Sequence, residues 1–382
     1  MVKVRYLYKL RPGAVAQAHL REEHSRCRWV WNECVHQFRS RQKPTAANLD
    51  KKLTEARTNL PWLREGSSVV QQQVIREYAT ALNASFSVKG RGRPSPKTRK
   101  KHPYVSLNYT VRGFSIDKDK RLRLAGGVTV PVVWSRELPS TPTSVRVYED
   151  AAGWWWASFV VDVSESDPLP PTGRAVGVDW GVKTSATTTD PEFDLEYSGI
   201  AKRHAKGLAK YQRRMSLHHT SGAKEQSPQY KKAKKRAARE HRTARWQRQE
   251  HSRKWASKVV AAHDQLAVED FKPKFLAKTT MAKKAADAAL GAMCRELKYQ
   301  ASKAGRTIVM VPPSYTTMTC SSCGVRAKHR LPLNQRTFHC WSCDFTDDRD
   351  RNAARVILYQ AGFNLAPDDG VIPAATLVVQ VS

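Results

Sequence analysis

Residues 314–358, SYTTMTCSSCGVRAKHRLPLNQRTFHCWSCDFTDDRDRNAARVIL, hold two Cys-x-x-Cys pairs, Cys320/Cys323 and Cys340/Cys343, with sixteen residues between them. That is the spacing of a four-cysteine zinc ribbon, whose closed thiolate shell leaves no coordination position open and so serves structure. A redox role would need a helix N-terminus in a thioredoxin-like βαβ setting, which the flanking residues lack. His329 and His339 lie nearby and read as ordinary polar residues rather than ligands. Just beyond Cys343 comes an acidic helix start, DDRDRNAARV, where Asp347 and Asp348 stand as N-cap and first-turn acids do. Asp350 lies in the same opening turn. A metal-held knuckle that feeds a carboxylate-bearing helix directs attention to acids upstream.

Two stand out. Asp179 ends the apolar run AVGVDW and Glu269 ends QLAVED. An acid that follows four apolar residues is expensive to bury without a partner. Around them the chain alternates. From Arg174 it reads as a buried strand and two more with turns between, basic helices over 201–258, and the strand of Glu269. A polar connection, KPKFLAKTTMAKKA, leads to a helix with Leu290, Met293, Cys294 and Leu297 on one face and Gly305 as its stop. The strand RTIVMV (306–311), the cysteine stretch and a last helix to about Gly362 follow. A mixed sheet in this order is what an RNase H-like fold requires. Three carboxylates brought together repel, and a hard divalent cation relieves them. Mg²⁺ takes oxygen ligands, and a pair of such ions about 3.5–4 Å apart serves phosphodiester hydrolysis.

The charge points the same way. The 382 residues carry 66 Lys and Arg against 34 Asp and Glu, a net of +32. Such an excess destabilises the compact state unless a polyanion neutralises it, and nucleic acid does so with release of counterions. Half of the excess lies in 201–258, with 19 Lys and Arg against 3 Glu, so 19 − 3 = +16. An ordinary surface helix would intersperse both signs. These helices, broken at 222–230 into a hairpin-like pair, read as a nucleic-acid face that includes Lys231, Lys232, Lys234, Lys235 and Arg236. No run of 18 apolar residues exists to span a membrane, and MVKVRYLYKL is no signal peptide. Cys27, Cys34 and Cys294 are scattered, a reduced intracellular pattern of buried small hydrophobes.

The front half divides by period. Residues 2–10 alternate as a strand. Helices follow to about Ser87, one with Cys27, Val30, Trp31 and Cys34 on a face and one capped by Ser67 or Ser68 with Val70, Val74, Tyr78 and Leu82 as its stripe. Residues 89–103 (Lys89, Arg91, Arg93, Lys97, Arg99 and Lys100 among them) carry seven Lys and Arg, one His and no acid. They read as a linker suited to phosphate contact. From Tyr104 to Val163 every segment is β-rich, enough short strands for a small barrel. Trp154, Trp155 and Trp156 should divide between core and surface by alternation, with a base-stacking role open to the outward one. SESDPLPPTG (164–173) reads as the domain boundary.

In this order GVDWGVK, AVEDF, CSSCG…CWSC and DRDRNAA resemble the transposon-encoded TnpB nucleases, relatives of the type V CRISPR effectors. YLYKLRPG, CRWVWNE, PWLREGSSVVQQ and WWWASFVVDV extend the resemblance over most of the chain up to about Phe363. It implies an RNA-guided DNA endonuclease of a transposable element with a multidomain α+β fold. The expected parts are a small β-barrel wedge domain (1–13 and 104–165), a helical recognition domain (14–103), and a RuvC-type RNase H-like α/β nuclease domain (173–313 and 347–362, with 201–258 as a basic insertion). A zinc ribbon (314–346) and a flexible tail (363–382) complete it.

The resemblance maps a catalytic triad onto Asp179, Glu269 and Asp350 as holders of two Mg²⁺ ions, for which Mn²⁺ can substitute. Asp350 is preferred to Asp348 because it stands two positions before Asn-Ala-Ala. One structural Zn²⁺ falls to the four cysteines. Arg336, four residues before Cys340, matches an arginine placed to contact the scissile phosphate. Implied partners are a guide RNA from the transposon end and double- and single-stranded target DNA. A monomer in the cytoplasm with no membrane attachment is expected. Gln71, Gln72 and Gln73 are candidates for a base-reading helix. Asp344 replaces the glycine usual after the fourth cysteine, a position an Asp can occupy in left-handed conformation. Residues 84–103 are proline-rich where relatives carry a different element. The competing readings are a zinc-ribbon nucleic-acid binder or guided repressor without cleavage, and a DDE-type or accessory transposase.

Overall fold

The computed structural model describes residues 2–40, 45–164, 168–223, 225–270, 289–329, 331–332 and 335–364. The polar connection expected after Glu269 and the tail beyond 364 lie outside the described residues. Two compact units divide between residues 165 and 166. Among the described residues no helix is long and apolar enough to cross a membrane.

The first unit opens with β1 (Val2–Leu10), followed by α1 (Ala14–Arg39), α2 (Ala46–Asn59), α3 (Pro61–Arg64) and α4 (Ser68–Ser87). The α1 stripe Cys27, Val30, Trp31 and Cys34 is buried, as are Val70, Val74 and Tyr78 of α4. The two helices meet through the Trp31 and Tyr78 rings, edge to face at 5.4 Å. Residues 89–103 are less free than their composition suggests. The Trp31 indole N–H donates to the Ser95 carbonyl at 3.0 Å, and Asn32 exchanges hydrogen bonds with both the Lys97 N–H and carbonyl. The linker is a strap tied to α1.

Six more strands follow: β2 (Ser106–Thr110), β3 (Phe114–Ile116), β4 (Arg121–Leu124), β5 (Val128–Val133), β6 (Ser144–Glu149) and β7 (Trp155–Val163). They join β1 in an antiparallel sheet of order β2-β6-β7-β1-β5-β4-β3. Its edge strands β2 and β3 are separated in sequence only by the single turn Val111–Gly113, so the sheet curls into a nearly closed barrel. The expected alternation of the tryptophans fails. Trp155 and Trp156 are both buried, because the Trp156 indole N–H finds the Asp150 carboxylate at 3.0 Å while Trp154 stacks over its ring.

The second unit holds a five-stranded sheet of β8 (Ala175–Trp180), β9 (Thr184–Thr188), β10 (Leu195–Glu196), β11 (Gln265–Glu269) and β12 (Thr307–Val311). The order is β10-β9-β8-β11-β12, with β8, β11 and β12 parallel and β9 antiparallel to its neighbours. This is the mixed RNase H-like sheet. The basic hairpin α5 (Ile200–Leu217) and α6 (Pro228–Ala262) is inserted between β10 and β11, and α7 (Leu290–Lys303) precedes β12. The short hairpin β13 (Thr337–His339) and β14 (Thr346–Asp348) leads straight into α8 (Arg349–Gln360).

Strand parity assigns the faces. Val176, Val178 and Trp180 pack with Leu266, Val268, Trp255, Val259 and Leu297, so α6 and α7 cover that side. Ala175 and Ala267 face Ile357 and Leu358, so α8 covers the other. Gly177 belongs to the α8 face, and a methyl group there would stand 2.0 Å from the Ala354 carbonyl oxygen. Only glycine lets the helix backbone lie this close to the strand.

Candidate active site and metal centre

The same parity that turns Ala175 and Gly177 toward α8 turns Asp179 that way, and the parity of Ala267 does so for Glu269. β8 and β11 are parallel and paired through Val178 and Val268, so the two acids are the next residues along, side by side at the C-terminal ends of their strands. Ligand sites in α/β sheets form at that end. Asp350 lies one helical turn before Ala354, whose carbonyl rests on Gly177. Two acids therefore come from the sheet and the third from the helix laid across it.

Their electrostatics differ from those of ordinary surface carboxylates. Asp179 and Glu269 are each 8% exposed. Burial raises the Asp179 carboxyl well above its usual range, the charges of Glu269 and then Asp350 raise it further, and Arg349 offsets part. Burial pushes Glu269 up to about 7. A buried acid raised further by two neighbouring acids suits a multivalent cation.

Asp350 is held by arginines. Arg336, half-exposed, donates to its Oδ2 at 3.0 Å, and Arg349 reaches Oδ1 at 3.3 Å. Arg336 thus sits at the acids, with its guanidinium engaged by one of them. The helix start is fastened further. Asp348 caps α8 by accepting from the Asp350 and Arg351 N–H groups, and Asp347 pairs with Arg355 at 2.8 Å. Arg351 clasps Asp194 through two bonds, at 3.0 and 2.7 Å, and also reaches the Thr188 carbonyl.

The four cysteine sulfurs all lie within 4.8 Å of one another, at 3.8 Å for Cys320 and Cys343 and 3.6 Å for Cys323 and Cys340. A tetrahedron of sulfurs around zinc, with bonds of about 2.3 Å, has edges of about 3.8 Å, so the four residues fit a tetrahedral ion. The two knuckles match. Gly324 N–H returns to the Cys320 carbonyl and Asp344 N–H to the Cys340 carbonyl, each at 3.0 Å. Asp344 adopts the left-handed conformation, φ 57°, that its sequence position demands. His329 and His339 stand outside this cluster.

The cations expected to meet nucleic acid are mostly outward. Lys89, Arg91, Arg93, Arg99, Lys100, Lys231, Lys232, Lys234, Lys235 and Arg236 are exposed. Lys97 is different. Its ammonium lies 3.5 Å from the centroid of the Trp31 ring, committed to the strap. Gln72 and Gln73 are half-buried, whereas Gln71 is fully buried, donating to the Leu63 carbonyl and accepting from Arg57, so it cannot read a base. Sequence reasoning also missed Arg349, Asn352, Asp194 and Gly177. Of these only Gly177, a glycine inside an apolar strand, carried a local signal.

Two family models match the chain: one described as "Probable transposase" over residues 158–279, and one described as "Cas12f1-like, TNB domain" over residues 291–357. A Streptomyces pristinaespiralis protein provisionally named as an RNA-guided DNA endonuclease is 30% identical over 383 residues, covering 97% of this chain and 92% of its own. InsQ of Escherichia coli (strain K12), named in the same provisional way, is 25% identical and covers 92% of this chain and 91% of its own. A cryo-EM structure of a Cas12f1–sgRNA–target DNA complex aligns with a TM-score of 0.57 at 12% identity, covering 93% of this chain and 98% of that one. That likeness is one of fold.

Proposed function

The chain belongs to the TnpB family, and from that premise we propose that it is the RNA-guided DNA endonuclease of a transposable element, with Asp179, Glu269 and Asp350 as its catalytic acids. The observation that carries the chemistry is the burial of Asp179 and Glu269 at neighbouring strand ends, with Asp350 close enough for its charge to raise the Asp179 carboxyl further. Such a trio holds two divalent cations, Mg²⁺ or Mn²⁺. When bound, these supply Lewis acidity and a water of lowered pKa for phosphodiester hydrolysis.

The chain's own groups do the rest. Asp179 and Glu269 fix the ions from the rigid strand ends, and Asp350 closes the site from the helix. Arg336, now paired with Asp350, is long enough to turn to a phosphate oxygen and form a charge-assisted bond there. The exposed cations of α5 and α6, with Lys89, Arg91, Arg93, Arg99 and Lys100, neutralise the backbones of guide RNA and target DNA. Zn²⁺ on the four cysteines holds the ribbon beside the acids. A nucleic-acid enzyme of this kind works in the cytoplasm.

The test is direct. Purified with the RNA it carries, the chain should cut matched DNA in a Mg²⁺-dependent way. Asp179→Ala should lower cutting on the order of 10³-fold or more, since several kcal/mol of transition-state stabilisation go with the ions. RNA and DNA binding should persist. Cleavage that survives in that variant sinks the assignment; binding with no metal-dependent nicking in the wild type would leave a guided binder.

A further inference from the structure

Asn352 is completely buried, and the ribbon takes both ends of its amide. Its Oδ1 accepts from the Ser321 N–H at 2.9 Å, and its Nδ2 donates to the Thr319 carbonyl at 2.8 Å. Thr319 and Ser321 flank Cys320, one of the four clustered cysteines and itself buried. Asn352 also stands two positions after Asp350 on α8. A single rigid turn of helix therefore joins a carboxylate of the candidate active site to the backbone on either side of a metal-ligating cysteine.

The other half of the ribbon holds the same turn. The Arg349 N–H donates to the Arg336 carbonyl at 2.7 Å, and Arg349 Nη1 reaches the Pro332 carbonyl at 3.2 Å. A buried amide bonded at both ends cannot turn without leaving polar groups unsatisfied, at a cost of about 1–3 kcal/mol each. Any shift of the Cys320 knuckle must therefore either move α8 or break these bonds.

We propose that Asn352 is a positioning residue that couples the four-cysteine centre to the carboxylate site. An ion on the cysteines fixes the Thr319–Ser321 backbone, that backbone fixes Asn352, and Asn352 sets where Asp350 stands relative to Asp179 and Glu269. The proposal rests on the reading of those acids as a divalent-cation site. Coupling between two binding sites is reciprocal, so a cation at the acids slows the loss of zinc from the ribbon.

The experiment uses the zinc-loaded full chain and follows zinc release into an excess of a chromogenic chelator. It is run in Mg²⁺, in Ca²⁺, and in Na⁺ at matched ionic strength. In the wild type the divalent ions should slow release about fivefold or more, the lower end of ordinary coupling. Asn352→Ala should release zinc faster and lose the divalent effect, and Asp350→Ala should lose it with Asn352 intact. Asn352→Asp keeps the acceptor for Ser321 but sets an oxygen against the Thr319 carbonyl; it should fall between, and it serves if the alanine variant holds no zinc. In cleavage assays Asn352→Ala should raise the Mg²⁺ needed for half-maximal cutting about fivefold, with a smaller change in the rate at saturation. A divalent effect that survives in both Asn352 variants overturns the coupling and leaves the acid site standing. So does a wild type that needs Mg²⁺ to cut yet shows no effect on zinc release. A wild type that neither responds to Mg²⁺ nor cuts removes the underlying reading, and the coupling falls with it.

Discussion

Glu23 in the helical part of the first unit and Asp179 in the sheet of the second are buried almost equally, 6% and 8% exposed, and their neighbours are opposite in kind. Both Glu23 oxygens accept from the Ser67 N–H at 3.2 Å, and Arg26 stands 3.5 Å away. Burial raises its carboxyl, while the Ser67 bond and then Arg26 and Arg57 pull it back. Around Asp179 the next influences after burial are two more acids. A buried acid supplied with fixed donors is part of the scaffold. One raised by further acids lacks that compensation, and on the proposed reading a cation would supply it.

The comparison breaks first at Asp179. If Asp179→Ala removes a strained group, the variant that loses cutting should melt at or above the wild-type temperature in divalent-free buffer, by calorimetry. A lower melting temperature would class Asp179 with Glu23. Next comes Gly177→Ala, which alters no acid but drives a methyl into the Ala354 carbonyl. Overpacking should lower stability by about 1–3 kcal/mol. Displacement of Asp350 by an ångström should slow cleavage on the order of 10²-fold. Glu23→Ala should lower stability by about 1–3 kcal/mol by stranding the buried Ser67 N–H, with Arg26 still held by Glu65 and the Trp62 carbonyl, while leaving the Mg²⁺ dependence of cutting where it was.

The smallest effect belongs to Glu240, an acid whose partner titrates. His204 bonds Glu240 at 2.8 Å and Gln247 at 3.0 Å, and these bonds raise its pKa above the usual value. A raised folded pKa adds stability below about pH 6.5 that is lost as pH rises through the folded value. The α5–α6 pair should therefore exchange its amide hydrogens more slowly at about pH 6 than at about pH 8, after correction for intrinsic rates. His204→Gln should erase the difference.

What could be read from sequence follows the same division. The cysteines and the two strand-end acids announce themselves through spacing and through charge after an apolar run, both local patterns. That the two acids share one face follows only from the parallel register of β8 and β11. Asn352 and Asp194 act through partners 33 and 157 residues away, and no window of sequence holds both ends of such a bond. Gln71 was misjudged for that reason, because Arg57, which seals it in, arrives from a different helix. The segment 89–103 reads from sequence as a linker suited to phosphate contact, and its tie to Trp31 and Asn32 stays hidden because those anchors belong to α1.

The barrel imposes a condition on synthesis. β1 is the first strand made and the central one of its seven-stranded sheet, yet its long partner is β7, paired from Val2↔Val163 to Leu10↔Trp155, and β5 meets only its last two residues. Roughly 145 residues separate the end of β1 from the start of β7. At about 5–20 residues per second, β1 waits about 7–30 s on the ribosome before its partner exists. Through that interval an alternating strand with both edges open is exposed to any other strand nearby. Expression yield should accordingly respond to translation speed and to chaperones that cover the first ten residues, even in variants whose finished fold is unchanged.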